Sequence, residues 1–219
     1  MIRYLTSSIG RKQLTGMAGL GLALFVLTHM AGNFLIFVGP EAYNTYSHNL
    51  ISSHLIYIIE AGLVTIFGLH FLMGIILTIR NRMARPQGYA KASNHEKKTP
   101  IQSRTMMFQG SILAVFVIYH LITFKFGPEY TVTYNGVEMR DLYRLTLEIF
   151  HNRTYVGLYV FCLLVLGVHL SHGFASGFQS LGLKDDKWSP VLEKFGIFYA
   201  VVVTAGFISQ PLYVFFKNG

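Results

Sequence analysis

Four histidines of this chain fall inside long apolar stretches. They are His29 in LTGMAGLGLALFVLTHMAGNFLIFV, His70 in LIYIIEAGLVTIFGLHFLMGIILTI, His120 in TMMFQGSILAVFVIYHLITFKF and His169 in CLLVLGVHLSHGFASGFQSLGL. An ionisable ring at membrane depth is expensive, so each is a candidate for chemistry; the competing role is a plain hydrogen bond between helices. Depth along the helix sorts them. His29 lies 16 residues beyond Gln13 and His120 lies 16 beyond Arg104, which places both about 24 Å above the same membrane edge. His70 lies 10 before Arg80 and His169 lies 10 before Gln179, which places these two about 15 Å above it. Two level pairs result. Paired imidazoles on opposed helices suit a flat macrocycle with an axial ligand on each face, because imidazole is a standard ligand of haem iron and helix bundles hold cofactors between facing side chains. Two such pairs imply two stacked b-type haems, the wiring for moving electrons between two faces of a membrane. Copper or zinc fits less well, since Cys162 is the only cysteine and carboxylates near the pairs are missing. A proton relay would not require two matched levels.

The elements that must position these rings are legible in the composition. The chain has 219 residues, 52% of them hydrophobic and only 13% charged, too apolar for an ordinary water-soluble domain. It reads as one all-α integral membrane domain, 1–219, with five spans at about 14–38, 55–79, 105–126, 154–178 and 195–216, each near the ~20 residues a crossing needs. None alternates like a barrel strand. The basic start MIRYLTSSIGRKQ resembles the front of a signal peptide, but the apolar run continues to Val38, beyond a signal core of about 7 to 15 residues, so a retained first span is predicted. Gly16, Gly19, Ala23, Ala31 and Gly32 would let a helix or a flat cofactor approach that span closely. GPEAYNTYSHNLISSH reads as a short interfacial helix, RNRMARPQGYAKASNHEKKTPIQSR as a polar connector, and Pro211 as a bend in the last helix.

Charge gives the orientation. Thirteen of the eighteen Lys and Arg residues lie in the N-terminal tail, the second connection and the fourth, which puts the N-terminus in the cytoplasm and the C-terminus outside. The net charge of +8 is thereby explained by topology and not by nucleic acid. The basic face suits anionic lipid headgroups or a docked partner protein.

Four helices with one histidine each separate this pattern from the b subunits of quinol:cytochrome c reductases, in which two helices carry two each. With the segment Ser8 to Thr15 ahead of His29, the run His70-Phe71-Leu72-Met73-Gly74, and HLSHGFASGFQSLG from His169 to Gly182, the chain resembles a known family. It is the cytochrome b membrane anchor of the succinate:quinone oxidoreductases, which include succinate dehydrogenase and quinol:fumarate reductase, in the single-chain, five-helix, two-haem form. The resemblance covers essentially the whole chain. It implies that His70 and His169 ligate the haem nearer the cytoplasm and His29 and His120 the outer one. It selects His169 over His172 because the family ligand falls four residues before a glycine, here Gly173. His172 would then meet a haem propionate, a neighbouring helix or water. Some members carry a proton-moving glutamate two residues before this ligand; here the position is Gly167, a departure from that route.

The same resemblance implies a bacterial cytoplasmic (inner) membrane location, a flavoprotein subunit for succinate and fumarate, an iron–sulfur subunit that relays electrons, and a quinone, menaquinone or ubiquinone, as the substrate exchanged here. A dimer of such heterotrimers is compatible with it. The chain itself has no dinucleotide fingerprint and no cluster-forming cysteine set, so dicarboxylate chemistry is not expected on it. Quinone chemistry needs an acid/base group, for which Glu60, Glu41 and His48 are the outer candidates; Glu60 also reads as a helix-end carboxylate reaching water. Ser8, Arg11 and Lys12 are candidates to neutralise inner propionates, although topology alone would place the two bases there. Two alternatives remain open: a b-type anchor of a hydrogenase or formate dehydrogenase, and a proton-coupled transporter.

Overall fold

The computed structural model describes residues 7–84, 101–183 and 185–217, with the backbone alone for 101–104. Helix α1 (Ser8–Asn33) starts where the Ser7 hydroxyl accepts the Gly10 N–H at 3.1 Å, which satisfies one orphan donor of the first turn. It runs on as one 3-10 turn, Phe34–Phe37. Gly39, at φ +142°, then turns the chain, and Pro40 opens the short helix α2 (Pro40–Ser52). Two long helices follow, α3 (Leu55–Met83) and α4 (Ile101–His120). Directly after His120 the helix widens into one π turn, Leu121–Lys125, closed by Phe126 N–H to the Leu121 carbonyl at 2.9 Å. Strands β1 (Thr131–Tyr134) and β2 (Val137–Arg140) pair antiparallel around Asn135 and Gly136, both at positive φ, the backbone that a tight two-residue hairpin demands. Helices α5 (Leu142–His151), α6 (Arg153–Ser180) and α7 (Ser189–Lys217) complete the chain, and α7 continues through Pro211 without ending.

Five of these helices are long and apolar enough to cross a membrane. They extend past the expected spans at several ends because the backbone stays helical into the polar flanks. The connection expected as an interfacial helix is α2. The connection after the third span is a folded hairpin followed by α5, so the all-α expectation holds apart from this one ribbon. Much of the basic connector, residues 85–100, lies outside the described residues.

Helices α1, α3, α4 and α6 form a ring in which each packs on its two neighbours, α3 against α4 over the shortest stretch. Across the diagonals, α1 to α4 and α3 to α6, there is no extended backbone contact among the described residues. Helix α7 lies outside the ring against α6 and α1. One buried cluster, with Ala23, Met30, Leu170, Tyr199 and Val203, joins α1, α6 and α7, and the Tyr199 hydroxyl donates to the Ala23 carbonyl at 2.5 Å. None of the α3 residues is fully buried; Tyr57, Ile58 and Val64 each leave more than two thirds of their surface exposed. Apolar surface on that scale is what acyl chains, not water, would cover.

A polar cap closes the end of the bundle that carries α2, the hairpin and α5. Asn44 is fully buried, donates to Asp141 Oδ1 at 2.8 Å and accepts the Tyr143 N–H at 2.9 Å. Tyr130 donates to Glu148 at 2.7 Å, while Arg144 stacks over the Tyr130 ring at 4.1 Å and donates to Glu148 at 3.0 Å. The Tyr130 hydroxyl and the Arg144 guanidinium hold the Glu148 carboxyl below its ordinary range. Arg140 donates to the carbonyls of Lys125, Gly127 and Pro128, where the chain leaves the π turn. At Gly127 a Cβ would lie 2.0 Å from the Thr123 carbonyl oxygen, so the chain can leave the π turn only through glycine. Gly127→Ala is therefore expected to destabilise the protein by about 1 to 3 kcal/mol, read as a lower thermal midpoint in detergent.

Candidate functional site

The four membrane-depth histidines meet in two places. His29 on α1 and His120 on α4 have ring centroids 5.9 Å apart with their planes crossed at 86°. His70 on α3 and His169 on α6 have centroids 6.1 Å apart, crossed at 80°. Each pair bridges one diagonal of the helix ring. Spacing of this size is shared with ordinary edge-to-face contacts. The location distinguishes these pairs, because the rings touch where the backbones behind them do not.

The surroundings of the His70–His169 pair are small and backbone-lined. His70 Nδ1 lies 3.1 Å from the Thr15 carbonyl, an acceptor that fixes the hydrogen on Nδ1 and leaves the Nε2 lone pair available. A Cβ on Gly19 would lie 2.9 Å from His70 Cε1, and one on Gly110 would lie 3.9 Å from His169 Cε1. Glycine at residue 19 keeps α1 clear of the His70 ring, whereas a Cβ at residue 110 would make only ordinary contact with His169. Close packing of α1 on α6 comes from a second glycine pair, since a Cβ on Gly16 would meet the Gly177 carbonyl at 3.1 Å. His169 Nδ1 is buried without a hydrogen-bond partner. His172 is half-buried and interacts electrostatically with His169, and the ring that meets His70 is that of His169.

The His29–His120 pair is embedded in aromatic rings. Phe25 stacks on His29 at 5.4 Å and 18°, and Phe207 of α7 lies 5.9 Å away. Phe116 and Phe124 flank His120 at 6.2 and 5.2 Å. His120 Nδ1 lies 3.3 Å from the Tyr159 hydroxyl of α6. The Asn33 amide lies 3.3 Å from His29 Nε2, donates to the His29 carbonyl, and accepts the Tyr43 hydroxyl of α2 at 3.0 Å. Burial pushes the Tyr43 phenol up from its ordinary value.

The residues present fit an axially ligated macrocycle. Two metal–nitrogen bonds of about 2 Å plus the half-ring behind each nitrogen separate two imidazole centroids by about 6 Å, the spacing of both pairs. Among the described residues no three His, Cys, Asp or Glu side chains converge as a metal-binding group.

The other candidates are scattered. Arg11 is half-buried one turn below Thr15, and its Nη1 is enclosed without a partner; Ser8 and Lys12 are exposed. Glu60 forms an ion pair with Lys125 of the π turn, which pins the hairpin end of α3 to α4. Glu41 accepts from Asn135 of the hairpin at 3.0 Å, and His48 is half-buried on α2. Neither is brought to an imidazole pair by any contact described. Thr15, Asn33, Tyr159 and Lys125 are functional neighbours that the sequence reading did not single out. Asn33 alone carried a signal, as an amide one turn after His29 inside an apolar helix.

Gly167 packs directly against α7. A Cβ there would lie 2.4 Å from Thr204 Oγ1 on α7, so the position is occupied by helix contact and has no room for a carboxylate. Gly167→Leu is expected to force α6 from α7 and lower stability by about 1 to 3 kcal/mol. Gly173→Ala, whose nearest neighbour is Met106 Cε at 3.8 Å, is expected to leave the thermal midpoint unlowered. In comparisons with family models, curated proteins and solved structures, nothing matches the chain.

Proposed function

We propose that this chain is a di-haem cytochrome b membrane anchor that passes electrons between a docked iron–sulfur subunit and membrane quinone, in an assembly of the succinate:quinone oxidoreductase type. The observation that carries the reading is the pair of crossed imidazole contacts, 5.9 and 6.1 Å between centroids, each spanning a diagonal of the four-helix ring. The assignment to succinate chemistry rests on the sequence resemblance, and dicarboxylate turnover belongs to the flavoprotein subunit in this proposal.

Bound haem iron would supply one-electron exchange at each level. The protein's part is to hold and tune. His70 and His169 grip from α3 and α6, with the Thr15 carbonyl orienting His70. His29 and His120 grip from α1 and α4 inside the aromatic cage. At the basic end, the enclosed Arg11 guanidinium is the cation placed to neutralise a carboxylate of the inner group. At the capped end, the Glu60–Lys125 pair bridges α3 and the π turn after α4, and its carboxylate is the group available to exchange a proton with a quinone arriving from the lipid.

The purified protein is expected to contain two haem b per chain, with sharp bands in the reduced-minus-oxidised visible spectrum. His70→Ala or His169→Ala should each remove one haem, and His29→Ala or His120→Ala the other. Absence of haem from the intact complex would reject the reading in favour of a transporter. Glu60→Gln should slow quinone turnover while both haems stay bound; unchanged turnover would remove Glu60 from the proton role.

A further inference from the structure

The two imidazole pairs are held by different kinds of group. His70 meets a backbone carbonyl, which no substitution removes. His120 meets a side chain, the Tyr159 hydroxyl, at 3.3 Å. Tyr159 is only 5% exposed and is wedged among rings, with Phe116 and Phe150 each at 5.0 Å and Phe124 at 6.1 Å. Its hydroxyl is therefore not free to swing to water. It reaches across from α6 to a ring on α4. Thr123, buried in the π turn that follows His120, has its own hydroxyl committed to the Tyr119 carbonyl at 2.9 Å.

The proton on this contact has one consistent placement. A neutral imidazole that offers Nε2 to a metal carries its hydrogen on Nδ1. His120 Nδ1–H then donates to the Tyr159 oxygen. An acceptor on Nδ1–H makes the imidazole a more basic ligand, and a more basic ligand favours the oxidised metal. We propose that Tyr159 is a positioning residue for His120, which fixes the ring's tautomer and orientation and lowers the reduction potential of the outer haem alone. This inference rests on the di-haem reading above and adds a residue through which the two levels are given unequal potentials.

The test is a redox titration of the purified complex followed in the visible haem bands, in wild type and Tyr159→Phe, with His70→Ala used to identify the outer transition. Tyr159→Phe keeps the ring and removes the hydroxyl. It is expected to bind both haems and to raise the outer midpoint by about tenfold in the reduction equilibrium, which is ~59 mV for one electron, with the inner midpoint unmoved. Equal shifts at both levels, or none, would overturn the inference while leaving two haems and the proposed function in place. A wild-type complex without haem would instead overturn the proposed function. Should Tyr159→Phe lose its outer haem, 3,5-difluorotyrosine at position 159 decides, because it leaves the phenol in place and weakens its oxygen as an acceptor for His120 Nδ1–H. A smaller rise of the outer midpoint supports the proposal, and an unchanged one rejects it.

Discussion

An imidazole inside an apolar bundle has two nitrogens to satisfy and no water to do it. The arrangement of this protein follows from that constraint at four places. His70 and His120 each place Nδ1 against an oxygen, from the Thr15 backbone and the Tyr159 side chain, and each ring faces a second imidazole across the bundle. For the rings to meet there, the diagonal helices must stay apart while neighbouring helices close up. Glycine performs the second task where α1 meets α6 at Gly16 and Gly177, and where α6 meets α7 at Gly167. Gly19 adds to it where α1 meets α3, since a Cβ there would lie 2.9 Å from the His70 ring.

The two levels are built from different materials. Around His70 and His169 the walls are backbone and glycine, with the enclosed Arg11 nitrogen one turn below. Around His29 and His120 the walls are aromatic rings, and a buried polar chain leads from His29 through Asn33 and Tyr43 to Thr146. That chain ties the upper pair to α2 and α5, the two short helices of the cap. Movement of the cap would therefore be felt at His29, whereas the lower pair depends on how α1 and α6 sit against each other.

Helix α7 carries no histidine and stands outside the ring, yet its burial is among the deepest in the chain, with Val203 and Val214 at 0% exposure. Its part is to back α6. Tyr199 of α7 donates to the Ala23 carbonyl of α1, and Thr204 occupies the place that a side chain on residue 167 would need. Helix α3, by contrast, has no fully buried residue and is held mainly by α1 and, at its capped end, by the Glu60–Lys125 pair.

Five apolar stretches, the level of each histidine and the short helix after the first span could all be read from the residues, because hydropathy, rise per residue and interfacial aromatic content are local properties of a sequence. The same arithmetic matched His29 with His120 and His70 with His169, since helices that cross one membrane share a common ruler. It could not assign azimuth. Whether His169 or His172 faces the partner ring depends on the rotation of α6, which is set by Gly177 meeting α1 and Gly167 meeting α7, contacts between residues far apart in the chain. For the same reason Tyr159 was indistinguishable from a tyrosine at a headgroup, and Glu60 from a carboxylate in water, until packing brought His120 to one and Lys125 to the other. The hairpin after α4 was hidden because its strands have only four residues each, and they are held by the Arg140 bonds to the carbonyls of Lys125 and Gly127 and by the Asn135–Glu41 contact. Depth was written in the sequence, and facing was decided by which backbones could approach.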